Sequence, residues 1–193
     1  MSILRETITG IRTTLVFWIL TALIYPFFLI LIGQFVFPYQ ANGSLITNDQ
    51  GNIIGSALIG QNFTSNSYFW SRPSTTEYST GEDAAPTGVS GASNLAPSNS
   101  ELIKRVETTI AQLKQQEIEP TADLVYTSGS SLDPHITLEA AKAQIARVAR
   151  ARNLDSNQVE ILISKAVDGR FLGIFGEPGV NVLKLNLALD ALE

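Results

Sequence analysis

The chain has 193 residues, 45% of them hydrophobic, with no cysteine and one histidine, which excludes disulfides, thiolate catalysis and cysteine-ligated zinc. Two of its 13 Lys and Arg and one of its 18 Asp and Glu lie within the first dozen residues, so the remainder carries 11 cations against 17 anions, a net charge near −6. That balance argues against nucleic acid as a partner, because phosphate binding depends on clustered Lys and Arg.

The hydrophobic residues concentrate at the start. From Leu15 to Phe37 the chain reads LVFWILTALIYPFFLILIGQFVF, without a charged residue, and at 1.5 Å per residue a helix of this length reaches roughly 35 Å, enough to cross a bilayer core with some tilt. A buried soluble helix needs a polar stripe, and only Thr21, Tyr25 and Gln34 interrupt the apolar surface. A cleaved signal peptide needs small residues after a shorter apolar run, and Pro38, Tyr39 and Gln40 follow instead. The division expected is a short cytoplasmic N-terminus over 1–12, a transmembrane helix over 13–37 and an extracytoplasmic domain over 38–193. Arg5 and Arg12 set this orientation, since no Lys or Arg recurs until Arg72. Pro26 has no amide hydrogen and is expected to kink the span, with a neighbouring helix satisfying the freed carbonyl.

After the span, Ile53, Ile54, Leu58 and Ile59 sit between Gly and Asn turn residues, the pattern of short strands in a small sheet. Residues 71–99 are rich in Ser, Thr, Gly and Pro and show neither period. Such a long loop is commonly functional or disordered, and it follows an aromatic cluster, Tyr68-Phe69-Trp70, beside Arg72-Pro73. The cluster can be a core corner, a cation–π pair with Arg72 or an interface anchor. Ser98-Asn99-Ser100-Glu101 has the form of a capping box, and Leu102, Val106, Ile110 and Leu113 follow at helical spacing, predicting a helix over about 100–117. Asp123 to Thr127 reads as a strand. Thr137 can cap a helix carrying Leu138, Ala141, Ile145 and Val148, and Asp155 to Gln158 resembles a second capping box before Val159, Leu162, Ile163 and Val167. In VNVLKLNLALDAL the leucines alternate as in a strand while their composition favours helix. The fold class expected is α+β, one transmembrane helix followed by a single mixed α/β domain.

His135 is the one imidazole available for acid–base chemistry, and Ser128, Ser130, Ser131 and Asp133 lie close in sequence. A serine triad is nevertheless the weaker reading, because no G-x-S-x-G elbow presents a nucleophile. The preferred reading is that Asp133-Pro134 starts a turn within which His135 bonds, fixing the approach to the next helix. The glycines of Gly173 to Gly179 do not make a phosphate cradle, since Pro178 lacks an amide and no Lys-Ser or Lys-Thr follows; a hairpin turn fits better. The basic strip Lys142, Arg147, Arg150 and Arg152 reads as a solvated helix face, with docking to an acidic partner as the alternative.

The anchor, GSALIGQNF, YFWSRPS, SGASNLAPSN, SGSSLDPHIT, RVARARNL and the terminal VNVLKLNLALD stand in the order and spacing of one family, and over nearly its whole length the chain resembles the C subunit of the bacterial Kdp potassium-transporting P-type ATPase. Thr75, Ala92, Ala96, Ser131 and Thr137 stand where that pattern has Ala, Gly, Gly, Gly and Ser. The resemblance implies a non-catalytic accessory subunit in the bacterial inner membrane. The partners it implies are a channel-like potassium-translocating subunit, a P-type ATPase subunit, a small single-span subunit and membrane lipid. It places ATP and potassium at the level of the complex and assigns no cofactor, metal or catalytic residue to this chain. The family role it carries is a catalytic chaperone that raises ATP affinity, directly or allosterically; an independent outer-surface hydrolase is the remote alternative. Tyr68, Phe69, Arg72, Pro73, Ser93, Asn94, Pro97, Asp133, His135, Arg147 and Arg150 are the candidates for partner docking or for structural roles.

Overall fold

A computed structural model describes residues 2–48, 50–79 and 88–192. The chain divides into two units, Met1–Leu45 and Ile46–Glu193. In the first, helix α1 (Ile3–Ile19) runs through a π-helical turn (Leu20–Ile24) into α2 (Tyr25–Val36), and a short α3 (Pro38–Ala41) follows. The 34 residues from Ile3 to Val36 form one apolar helix, none of it buried, long enough to cross a membrane. The expected disturbance at Pro26 takes a definite form. Tyr25 donates its amide to Leu20 O, one residue further back than in an α-helix, so the helix widens just before the proline ring would meet the preceding turn.

After the helices, β1 (Leu45–Thr47) and β2 (Ile53–Ser56) form the small sheet expected around Ile53 and Ile54. Leu58 and Ile59 fall in the turn after it. Helix α4 (Ser100–Gln115) matches its predicted span, but its cap is Asn99, whose side chain accepts the Glu101 amide at 2.8 Å. Asn caps at least as well as Ser, so the box read at Ser98 shifts by one residue.

The strand expected at Asp123 to Thr127 is instead a helical turn, α5 (Ala122–Val125). Leu124 and Val125 are adjacent and both buried. A strand would send them to opposite faces, whereas one helical turn can bring both to one core. The Asp133-Pro134 turn leads into β3 (His135–Ile136), and Thr137 then caps α6 (Leu138–Lys142) by accepting the Ala140 amide. The helix predicted onward from Leu138 is broken at Ala143 and Gln144 and resumes as α7 (Ile145–Arg152), because the Gln144 side chain is fully buried in bonds to another segment. The capping box at Asp155 is present in full and opens α8 (Ser156–Lys165), burying Val159, Leu162 and Ile163. Val167 lies beyond that helix, in β4 (Val167–Asp168).

The ambiguous terminus is both elements in succession. It forms β5 (Gly179–Asn181) and then α9 (Val182–Asp190), and Asn181 marks the switch by accepting the Lys184 amide at 3.1 Å. Val182, Leu185 and Leu189 are buried at helical spacing. Strand β5 is central to an antiparallel sheet ordered β3-β5-β4, with His135 opposite Asn181 and Asp168 opposite Gly179. Helix α8 packs on α6, α7 and α9, and the core runs from Phe69 and Leu113 through Ile136, Val148 and Ile163 to Val180 and Leu189.

Candidate functional site

The aromatic segment is a core corner. Phe69 is fully buried, its amide donating to Asn186 Oδ1 at 2.8 Å and its carbonyl accepting from Asn186 Nδ2 at 3.0 Å. Trp70 has the same relation to Gln144, its amide donating to Oε1 at 2.8 Å and its carbonyl accepting from Nε2 at 3.2 Å. Each amide side chain thus completes the backbone of a segment that no strand covers. The cation–π partner is not Arg72. Arg147 lies 4.1 Å from the Trp70 ring centroid and Arg152 lies 4.7 Å from that of Tyr68.

This corrects the reading of the basic strip as a solvated face. Arg147 is 6% exposed and donates to Asn66 O, Tyr68 O and Gln144 Oε1 at 2.7–3.0 Å. Burial lowers its pKa to about 10, which still leaves it cationic at neutral pH. Arg152 holds Ser67 O and Asp190. Arg150 and Lys142 do face solvent, paired with Glu117 and Glu160.

His135 gathers a second constellation. Its amide donates to Asp133 Oδ1 at 3.0 Å, closing the turn expected at Asp133-Pro134, while its Nε2 meets Asp168 Oδ2 at 2.9 Å and its Nδ1 lies 3.7 Å from Asp133. Lys184 donates to both Asp168 oxygens at 3.1 Å. Arg72 bridges Asp123 at 3.1 Å and Asp133 at 3.5 Å, and Asp123 also accepts the Thr137 amide. The hydrogen bond to Asp133 raises the His135 pKa against the opposing effect of burial, and Asp168 adds to the rise. The bond from His135 likewise lowers Asp133. Burial pushes Asp168 up, but His135 and Lys184 together hold it below its ordinary value.

Gly179 makes the imidazole bridge possible. It lies in the central strand between His135 and Asp168, and a Cβ there would stand 3.0 Å from His135 Cβ and 3.3 Å from its Cγ. The serines close in sequence are bound elsewhere, with Ser131 Oγ on Thr75 and Ser128 Oγ beside Ser130. The triad considered from sequence is therefore not assembled.

The described part of the long loop is tied to residues 128–133. Ser74 Oγ donates to Ser131 O, and the Gly91 amide and Ser90 Oγ donate to Ser130 O. Tyr78 is buried in a left-handed turn with its hydroxyl on Arg72 O, and burial raises its pKa to about 12. Ser131 takes φ 58°, the conformation in which glycine is favoured, while Ala92 and Ala96 have no positive φ. Pro73 and Ser93 are half-buried along this seam; Asn94 (φ 51°) and Pro97 are exposed.

The family model described as "K+-transporting ATPase, c chain" matches residues 7–191. The chain belongs to this family. It is 61% identical over 187 residues to the potassium-transporting ATPase KdpC subunit of Synechocystis sp., covering 97% of this chain and 98% of that one. It is 61% identical to the KdpC subunit of Microcystis aeruginosa, covering 100% and 98%, and 47% identical to that of Geobacter sulfurreducens, covering 98% and 99%. Its apolar N-terminal helix fits the single-pass membrane protein such an accessory pump subunit would be.

Sequence reasoning brought Asp133 and His135 together and missed Asp168, Lys184, Gln144, Asn186 and Gly179. Among the described residues no group of three or more His, Asp or Glu is arranged to hold a metal ion. Both constellations tie loops to the core through hydrogen bonds and ion pairs, although Arg72 Nε and Arg147 Nε are buried without a partner.

Proposed function

We propose that this chain is a non-catalytic accessory subunit of an ATP-driven potassium uptake complex in the bacterial inner membrane, anchored by one helix with its α/β domain outside the cytoplasm. The observation that carries this reading is the full-length family match on a chain with one unburied apolar helix preceded by Arg5 and Arg12. The domain docks on the channel-like and ATPase subunits, braces the assembly and caps the potassium entrance. Its net charge near −6 raises the local concentration of cations there. In this orientation the domain cannot touch cytoplasmic ATP. Any effect on ATP affinity is allosteric, through preferential binding to one conformation of the pump.

Topology is the first test. Protease added to intact spheroplasts should digest residues 38–193; protection until lysis would reverse the orientation and favour direct nucleotide contact. Deleting residues 38–193 while keeping the anchor should then abolish assembly or uptake, and unaltered potassium affinity and turnover would refute the role in the pump.

A further inference from the structure

The connection from β4 to β5 ends in an apolar tip. Phe171, Leu172, Ile174 and Phe175 are 71%, 73%, 72% and 61% exposed. Together they show water on the order of 400–500 Å² of apolar surface, the size of the largest patches monomers expose and often a functional one.

This tip is built, not loose. Phe171 and Phe175 form an antiparallel bridge in which each amide donates to the other's carbonyl, at 2.8 and 3.0 Å. The Gly173 amide returns to Arg170 O at 3.0 Å. Leu172, Gly173 and Gly176 take φ of 54°, 74° and 83°. A non-glycine residue held at positive φ with its side chain in solvent gains nothing for this fold from that strain. At the base, Arg170 pairs with Glu177 at 3.1 Å, and Asp168, at the hairpin's start, is fixed by His135 and Lys184. Phe171 and Phe175 also wall a cleft of about 430 Å³ whose floor includes Arg72, Asp133 and His135.

We infer that the hairpin 170–177 is the anchor by which this domain plugs into another subunit of the same pump, its occupant being an apolar pocket with a neutral polar rim. The inference rests on the accessory-subunit reading and names its contact. Charge argues for protein over bilayer. Apolar loops that bind lipid surfaces draw on neighbouring Lys and Arg, but here Arg170 is neutralised by Glu177 and the domain is acidic. A rigid apolar knob inside an ion-paired rim has the anatomy of an interface hot spot, with the ordering cost already met by the fold.

The test uses the whole pump in native membranes. A photoreactive phenylalanine at Leu172 should cross-link to one other subunit; adducts to lipid alone, or none, would overturn the assignment. In parallel, Phe171→Ser with Ile174→Ser should reduce retention of this subunit in the purified pump at least tenfold, with its melting in detergent unchanged. Retention within twofold of the parent would also overturn it. If the double variant melts early, the cross-link decides. Should the 38–193 deletion abolish uptake while the double variant stays bound, only the hairpin assignment fails; should the deletion be harmless, the accessory-subunit reading fails with it.

Discussion

Two apolar segments of this chain, each beside an arginine, have opposite fates. Tyr68-Phe69-Trp70-Ser71-Arg72 and Arg170-Phe171-Leu172-Gly173-Ile174-Phe175 each combine aromatics with an arginine. The first is buried at Phe69, and the second stands in solvent at every large side chain. What separates them is the supply of polar partners. A backbone leaving regular structure enters a core only if its amides and carbonyls are met, and Asn186 and Arg147 from distant helices and Gln144 from the break before α7 reach the first segment. The second meets its own backbone needs through the Phe171–Phe175 bridge. It needs no core, and its side chains remain available for a partner.

The contrast breaks most severely at Arg147. Arg147→Ala removes a buried charge from two carbonyls and Gln144 and should destabilise the domain by about 3–4 kcal/mol. Chemical denaturation followed by Trp70 fluorescence, in a Trp18→Phe background, measures it. Asn186→Ala leaves the Phe69 amide and carbonyl buried without partners and should cost about 2 kcal/mol by the same measurement. Phe171→Ser, in the other segment, should change stability by less than about 0.5 kcal/mol. Equal effects of Asn186→Ala and Phe171→Ser would erase the distinction.

These values bear on what could be read from sequence. Helices α4 and α8 were legible because their caps and apolar spacing are local, and the turn at Asp133 because an Asx turn spans two residues. The aromatic corner was legible only as an alternative, since Gln144 and Asn186 lie 74 and 117 residues away. The basic strip was misread for the same reason. Arginine on a helix face looks solvated until the segment it satisfies is known, and Arg147 reaches back some 80 residues. Asp168 sits 33 residues from His135. A hint existed at Gly179, where a strand glycine can mark a close approach, but Pro178-Gly179 also suits a turn. At α5 the adjacent apolar pair Leu124 and Val125, both buried, argues against a half-buried strand.

Thr75 and Ser131 test how tightly the long loop is tethered. Their hydroxyls lie 2.7 Å apart, and Ser131 Oγ accepts the Thr75 amide at 2.9 Å. Ser131→Gly relieves the left-handed backbone but removes both bonds, so its net effect should be small. Thr75→Ala with Ser131→Gly should show a coupling of about 1 kcal/mol in a double-mutant cycle. Strict additivity would mean that the two hydroxyls do not couple.

The smallest expected effect is on pH dependence, and its sign follows from the directions of the shifts. His135 has its pKa raised above the ordinary 6.5, so its contribution is complete below that value and fades as pH rises through the folded-state pKa. Asp133 and Asp168 are lowered from 3.8, so theirs is present above that value and fades as pH falls through their folded-state pKa values. The network that fixes the base of the hairpin is therefore strongest between about pH 4 and 6.5 and weakens first on the alkaline side, where the imidazole loses its proton while both carboxylates stay charged. His135→Gln should flatten the alkaline limb of a stability–pH curve. Gly179→Ala should shift that limb to lower pH, because its Cβ displaces the imidazole from Asp168. Because these side chains are partly solvated, the amplitude should be modest. An alkaline limb unchanged by His135→Gln would assign it to another group and leave Lys184 as the main partner of Asp168.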